Sequence, residues 1–425
     1  MILIKLKYLL LVAYLIGAIS GSVVTAATGS KNENKPNIIL IMADDLSAKD
    51  MGSYGNPNVP TPVLDRLGQE GALFKTCWAT PICSPSRAQI MTGRYGFRTH
   101  WFHNNMKNRE PLSSRQLTLG QVFKEAGYST AIVGKWQLPG TLKEHGFDDQ
   151  YMWLWGHGLR QKLQPQFDGL VEQEGHSLPG RPARYWHPGI HHNGQLIDTD
   201  ANDYGPDLFV QYINRWMKDH KDEPFFLYFP MCLPHRSWDF ELNVNGYLPT
   251  PKLNQDGKRV SGRSEPTMEA NAVYIDYLMG KIISQLDQLE IRDNTVFVFT
   301  TDNGTQEWGK SQTREERGPR VPLIINGPGV IKNIGERSEL VQFADILPTL
   351  AELAGAEIPQ SNPLDGVSFA PLLQGRPYQE RDWIFSYYET RRFLRDQRFL
   401  LDGDGKLWDC GNQRNEQGYV DVSHS

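Results

Sequence analysis

The chain has 425 residues, with Lys+Arg 44 against Asp+Glu 49 and a formal net charge of −5. With 39% hydrophobic and 22% charged residues it carries enough apolar material for a large core, which excludes a disordered or fibrous protein. There is no basic excess to neutralise a phosphate backbone, which excludes a general nucleic-acid binder.

The N-terminus reads as an address. Lys5 and Lys7 precede an apolar run from about Leu9 to Ile19, and Val24-Thr25-Ala26 offers small side chains for cleavage. This predicts a signal peptide over 1–26, not a stable membrane anchor, because the run is short for a spanning helix. Export to the periplasm or the medium follows as an expectation. Cys77, Cys83, Cys232 and Cys410 are too few in so long a chain to form a disulfide framework.

After a polar linker over 29–36, Asn37–Met42 is a short apolar run that predicts a buried strand, ending in Ala43-Asp44-Asp45. A helix is expected over 62–71, and another over 86–93, which puts Cys83 at a helix entrance. Residues 116–126 predict an amphipathic helix and Ser129–Val133 a second strand. The segment 150–205, rich in Gly, Pro, His and Trp, reads as loops. A helix over Leu208–Lys218, a third strand at Phe225–Phe229, a helix over 267–290, a fourth strand at Thr295–Thr301 and a fifth at Val321–Ile325 follow. The alternation predicts an α/β fold, a large mixed, mostly parallel sheet sandwiched by helices, over 36–375. From 376 to 425, short alternating runs and the turn Gly403-Asp404-Gly405 predict a small C-terminal antiparallel sheet.

Polar residues recur at the C-terminal ends of these strands, the edge where ligands bind in open α/β sheets. Asp44-Asp45 and Asp302-Asn303 offer oxygen ligands for a hard divalent cation, although either pair alone also fits a solvated turn. Gly134-Lys135 and Pro234-His235 follow two further strands. Cys83 near a helix N-terminus, with Arg87 four residues on, favours an anion nearby. A catalytic thiolate and a buried structural Cys both remain open on the residues alone.

The run Cys83-Ser84-Pro85-Ser86-Arg87, continued by Thr92-Gly93-Arg94, resembles the signature of the type I sulfatases of the alkaline phosphatase superfamily. The resemblance extends over roughly 36–409, through Asp44-Asp45, Gly134-Lys135-Trp136, Pro234-His235, Thr301-Asp302-Asn303-Gly304, Gly309-Lys310 and Asp345–Leu350. It implies an alkaline-phosphatase-like fold and an arylsulfatase-like sulfuric ester hydrolase. It implies that Cys83 is oxidised to formylglycine by a formylglycine-generating or sulfatase-maturating enzyme, and that a hydroxyl of the aldehyde hydrate attacks sulfur. Asp44, Asp45, Asp302 and Asn303, with residue 83, would hold Ca²⁺, with Mg²⁺ as the alternative. Arg87, Lys135 and Lys310 would balance negative charge, and His235 would protonate or position the leaving oxygen.

The chain departs from the pattern at Gln137, where the family has a His. Gln takes no proton at neutral pH, and His145, His100 and His103 are the nearby replacements in sequence. Lys310 is followed by Ser311–Gly318, more charged than the family's run. Asn303-Gly304-Thr305 is also a glycosylation sequon, which a metal role for Asn303 excludes. The aromatic, Arg and His residues of 150–205 (Trp153, Trp155, His157, His176, Arg181, Arg184, Tyr185, Trp186, His187, His191, His192) suit a sulfated carbohydrate. The alternatives are a phosphonate or phosphate monoester hydrolase of the same superfamily and a non-catalytic carbohydrate-binding relative.

Overall fold

A computed structural model describes residues 35–104, 112, 116–138, 140–154, 184–239, 244–414 and 418–424. The expected signal peptide, most of the 29–36 linker, and Trp155, His157, His176 and Arg181 lie outside the described residues. In chain order the strands are β1 (Asn37–Ala43), β2 (Ala72–Trp78), β3 (Ser129–Gly134), β4 (Asp149–Trp153), β5 (Ile190–His192), β6 (Gln195–Leu196), β7 (Phe225–Pro230), the hairpins β8 (Ser237–Asp239) with β9 (Val244–Gly246) and β10 (Pro251–Leu253) with β11 (Arg259–Arg263), then β12 (Thr295–Thr301), β13 (Arg320–Asn326) and β14 (Gly335–Gln342). The helices are α1 (Pro62–Gln69), α2 (Cys83–Thr92), α3 (Leu119–Glu125), α4 (Gly205–Asp219), α5 (Met268–Gln288) and α6 (Ile346–Ala354), together with shorter turns.

The continuous apolar run of β1 follows from burial on both faces. Ile39 and Ile41 point one way, into a core with Leu64 of α1, Phe209 and Ile213 of α4, and Leu278 and Ile282 of α5. Ile38, Leu40 and Met42 point the other way, against Ile90 of α2, Leu119 and Phe123 of α3, and Leu347 and Leu350 of α6. A strand covered on both sides has no polar face to alternate with. The sheet order is β14-β2-β13-β12-β1-β7-β3-β4-β5-β6. The pairings β12/β1, β1/β7, β7/β3, β3/β4 and β14/β2 are parallel.

The expected fifth strand, β13, runs antiparallel to both β12 and β2. It follows β12 through a loop and not through a crossover helix, and a parallel pairing needs the crossover. The strands β2 and β14 carry charged residues (Lys75; Glu336, Arg337, Glu339), so their patterns are weak in sequence. The segment expected to be loops contributes β4, β5 and β6 to one end of the sheet, with Trp153, Tyr185 and His191 buried. These strands have at most five residues, too short for a period to show.

A five-stranded antiparallel meander closes the described chain: β15 (Ile384–Tyr388), β16 (Arg391–Arg395), β17 (Phe399–Leu401), β18 (Leu407–Asp409) and β19 (Val420–Asp421). Its inner residues Ile384, Phe393, Leu400 and Trp408 pack on Trp78 of β2 and Leu340 of β14. A buried polar knot joins it to the loop between β12 and β13. Arg395 Nη1 donates to Glu316 Oε1 at 2.5 Å, and Trp78 Nε1 and the Tyr419 hydroxyl donate to the same carboxylate at 2.8 and 2.6 Å. The Glu315 amide and Trp408 Nε1 both donate to Asp402 Oδ2, at 3.0 and 2.8 Å.

Candidate active site

Register brings the acidic pairs together. Parallel pairing sets Ala43 of β1 opposite Thr301 of β12, so Asp44-Asp45 and Asp302-Asn303 leave the sheet side by side. The Asp302 amide donates to the Ala43 carbonyl at 3.1 Å, and the Asp45 amide to Asp302 Oδ1 at 3.0 Å. Asp45 adopts φ 67°, a left-handed turn that Asp tolerates better than most residues. All four side chains are fully buried. The Asn303 amide donates to Asp45 Oδ1 at 2.8 Å, so the sequon is inaccessible as well as engaged.

Lys135 follows β3. Gly134 has φ +118°, and a Cβ there would meet the Pro230 carbonyl at 2.2 Å, so only Gly turns the chain here. Lys135 Nζ reaches Asp44 Oδ2 at 2.6 Å. Cys83 opens α2, and Arg87 lies one turn on, on the same face. Arg87 Nη2 bonds Asp302 Oδ2 at 2.6 Å and Asp44 Oδ1 at 3.4 Å, and Nη1 donates to the Lys135 carbonyl. Cys83 Sγ lies 3.6 Å from Asp45 Oδ1. Lys310, in the loop between β12 and β13, places Nζ 2.6 Å from Asp45 Oδ2 and 3.2 Å from His235 Nε2. His235 Nδ1 lies 2.6 Å from the Arg236 carbonyl, which only accepts, so Nδ1 carries the proton and Nε2 presents its lone pair to Lys310.

The electrostatics follow from three carboxylates and several cations in a dry site. Burial, opposed by Arg87 and reinforced by Asp44 and Asp45, pushes Asp302 up to about 7. Asp44 stays well below the usual carboxylate value: burial works against it, but Lys135 and Arg87 outweigh that. Burial, then the charges of Arg184 and Lys310, hold His235 well below its ordinary value, in keeping with a neutral ring. Burial, then Asp302, push the Cys83 thiol well above the ordinary thiol range.

Ligand atoms of Asp44, Asp45, Cys83 and Asp302 lie within 4.8 Å of one another. Asn303 Oδ1 is buried with no hydrogen-bond partner among the described residues. This spare acceptor beside clustered carboxylates fits a hard cation with oxygen ligands. Arg87 Nε is likewise buried without a partner there, a spare donor of the kind an anion satisfies.

The remaining candidates lie around this centre. Gln137, with φ 61°, is nearly buried, and its carbonyl accepts from the Ser84 hydroxyl at 3.3 Å, next to Cys83. His145 is buried against Trp136, while His103 pairs with Glu389 at 3.4 Å and His100 is exposed. Asn104 and Tyr185 escaped the sequence reading of the centre itself. Asn104 Oδ1 accepts from the Ser84 amide at 2.9 Å, and the Tyr185 hydroxyl bonds the carbonyls of Cys232 and His235 at 2.8 and 2.5 Å. No motif marks either residue; only the fold brings them in. Cys77, Cys232 and Cys410 are buried and free.

An α/β sheet sandwiched by helices, with Asp44-Asp45 and Asp302-Asn303 meeting at its C-terminal strand ends, defines a hydrolase scaffold of the alkaline phosphatase type. The sequence profile of the sulfatase family matches residues 36–356, and the chain belongs to that family, an arylsulfatase-like group of sulfuric ester hydrolases. It is 26% identical over 469 aligned positions to human arylsulfatase D, covering 90% of this chain and 76% of that protein. It is 30% identical over 375 positions to human N-acetylgalactosamine-6-sulfatase, covering 80% of this chain and 66% of that one. The crystal structure of Ps i-CgsB in complex with k-i-k-neocarrahexaose superposes with a TM-score of 0.73 at 25% identity, covering 92% and 89% of the two chains. Among the described residues no helix is long and apolar enough to cross a membrane.

Proposed function

We propose that this chain releases sulfate from a sulfated carbohydrate, with Cys83, converted to formylglycine, as the nucleophilic residue. The observation that carries the proposal is the convergence of Cys83 with Asp44, Asp45 and Asp302 within 4.8 Å at the start of a helix. The names of the relatives support the substrate class: one acts on an N-acetylgalactosamine sulfate and one is solved with a neocarrahexaose.

Asp44, Asp45, Asp302, Asn303 and residue 83 would hold a Ca²⁺ or Mg²⁺ ion, which would supply Lewis-acid chemistry toward the sulfate group. The matured residue 83 supplies a hydrated aldehyde, one hydroxyl to attack and a second through which sulfate is later expelled. Arg87 offers its spare Nε to the sulfate, and Lys135 balances Asp44 so that the anion meets no uncompensated carboxylate. Lys310 and His235 stand on the leaving-group side. With Nδ1–H donating to the Arg236 carbonyl and its Nε2 lone pair turned to Lys310, His235 carries no spare proton, so Lys310 donates toward the leaving oxygen and His235 orients it. Gln137 hydrogen-bonds only, which leaves the second proton transfer to another group. We further propose the signal peptide over 1–26, the division at 376, export, and maturation by a formylglycine-generating or sulfatase-maturating enzyme, on the sequence features given above.

Parallel assays of sulfate and phosphate released from aryl esters and sulfated oligosaccharides test the reading, together with mass spectrometry of the peptide containing residue 83. Sulfate release that disappears in Cys83→Ala, with formylglycine in the wild type, is the expected result. Faster phosphate release, or an unmodified thiol in fully active enzyme, overturns it.

A further inference from the structure

Positive charge on the leaving-group side extends beyond Lys310. Arg184 is buried, with its guanidinium 4.6 Å from the Trp153 ring. It adjoins Tyr185, whose hydroxyl holds the His235 carbonyl. Arg236, the residue after His235, fixes that ring through its backbone carbonyl. The Arg236 guanidinium lies 5.7 Å from the Tyr247 ring and forms an ion pair with Glu307. Glu307 belongs to the same loop as Lys310, three residues earlier, and has φ 72°. The pair therefore bridges the two loops that carry His235 and Lys310, at the rim of the site.

The two members of this pair differ in exposure. The Arg236 side chain is 26% exposed and that of Glu307 is 75% exposed. An ion pair so open to water is weak and is screened by salt. The guanidinium, in contrast, stands 5.7 Å from the Tyr247 ring and is a planar fork of the kind that matches carboxylate and sulfate oxygens. A substrate anion arriving at the rim can compete with the Glu307 carboxylate for the guanidinium.

We propose that Arg236 is the specificity-determining residue for a second anionic group on the sugar, a carboxylate or a further sulfate, close to the ester that is cleaved. Glu307 occupies the guanidinium until such a substrate arrives. The proposal rests on the sulfatase reading above. Substitution of the Arg236 side chain leaves its backbone carbonyl, and so the orientation of His235, in place.

Steady-state kinetics of the full, matured chain, with wild type, Arg236→Gln and Glu307→Gln, test it. The substrates are a small monosulfated aryl ester, a monosulfated neutral disaccharide, and disaccharides that add either a second sulfate or a uronate carboxylate. Arg236→Gln is expected to raise KM for one or both doubly anionic substrates by about tenfold or more over any change it causes on the aryl ester. Glu307→Gln is expected to lower KM for the same doubly anionic substrate. The arm that responds tells carboxylate from sulfate. Equal losses on all substrates, or no change on either doubly anionic one, overturns the proposal while sulfate release stands. If the wild type releases no sulfate from any substrate, the underlying reading falls instead.

Discussion

Arg395→Met is expected to unlatch the C-terminal sheet from the loop that carries Lys310. Arg395 and Glu316 are both fully buried. Burial works to neutralise Glu316, and Arg395 with Arg320 holds its carboxyl below the ordinary value. Breaking a buried pair by removing one partner costs about 3–5 kcal/mol, because an uncompensated charge is left in a dry site. Here Trp78 Nε1 and the Tyr419 hydroxyl still donate to the carboxylate, which places the cost near the lower end, about 3 kcal/mol. Methionine fills much of the space of the aliphatic stem, so little of that cost is a cavity. Urea unfolding followed by tryptophan fluorescence measures it, with Glu316→Gln and the double variant completing a cycle. A coupling of about 1–3 kcal/mol is expected, since the double variant removes both charges. An Arg395→Met cost under about 1 kcal/mol, or strict additivity in the double variant, refutes the reasoning.

Three further outcomes are expected. His191 is nearly buried, and its Nδ1 accepts from the Gly194 amide at 3.2 Å, so the native ring is neutral; burial, then His192, lowers its pKa to about 4. Its contribution to stability is complete above the unfolded value of 6.5 and is lost as pH falls toward 4, so the difference in unfolding free energy between wild type and His191→Asn should change by about 3 kcal/mol across that window; parallel pH curves count against it. Chelation should lower the thermal midpoint and Ca²⁺ restore it, by an amount equivalent to about 2.7 kcal/mol at a hundredfold excess over Kd, and a midpoint indifferent to chelator removes the metal from the reading. Thr118 caps α3 in a reciprocal pair with Gln121 and also donates to the His145 carbonyl at 2.8 Å, so Thr118→Ala should cost about 1–2 kcal/mol in the same unfolding assay.

The legible parts of the molecule are those whose physics is local. The runs that became β1, β7 and β12 are apolar throughout because helices cover both faces, and their ends carry the acidic or basic residues that meet at the sheet edge. The capped helix α3 and the Gly134 turn are likewise written in neighbouring residues. The direction of β13 was not legible, since a strand's own sequence does not say which way its partner runs. The short strands β4 to β6 owe their pairing to the sheet edge they extend. In the centre, Asp44, Asp45, Cys83, Arg87, Lys135, His235, Asp302, Asn303 and Lys310 were named from motifs and are brought together. Tyr185 was named only as a sugar-facing aromatic, yet its hydroxyl holds the backbone beneath His235, a contact that depends on two segments meeting in space.

The pairing of β1 with β12 has a consequence for the order of assembly. The Asp45 amide and the Asp302 carboxylate that it meets are 257 residues apart. On a chain emerging from the ribosome, the segment containing Cys83 is therefore made long before Asp302, which follows β12, exists. The loop that carries Lys310 waits longer still, because its clasp comes from Arg395, Asp402 and Tyr419, which are made later than β12 and β13. Contacts of such separation form slowly. Cys83 is completely buried in the finished fold, so another protein can reach it only before β12 and the loop that carries Lys310 have closed over it.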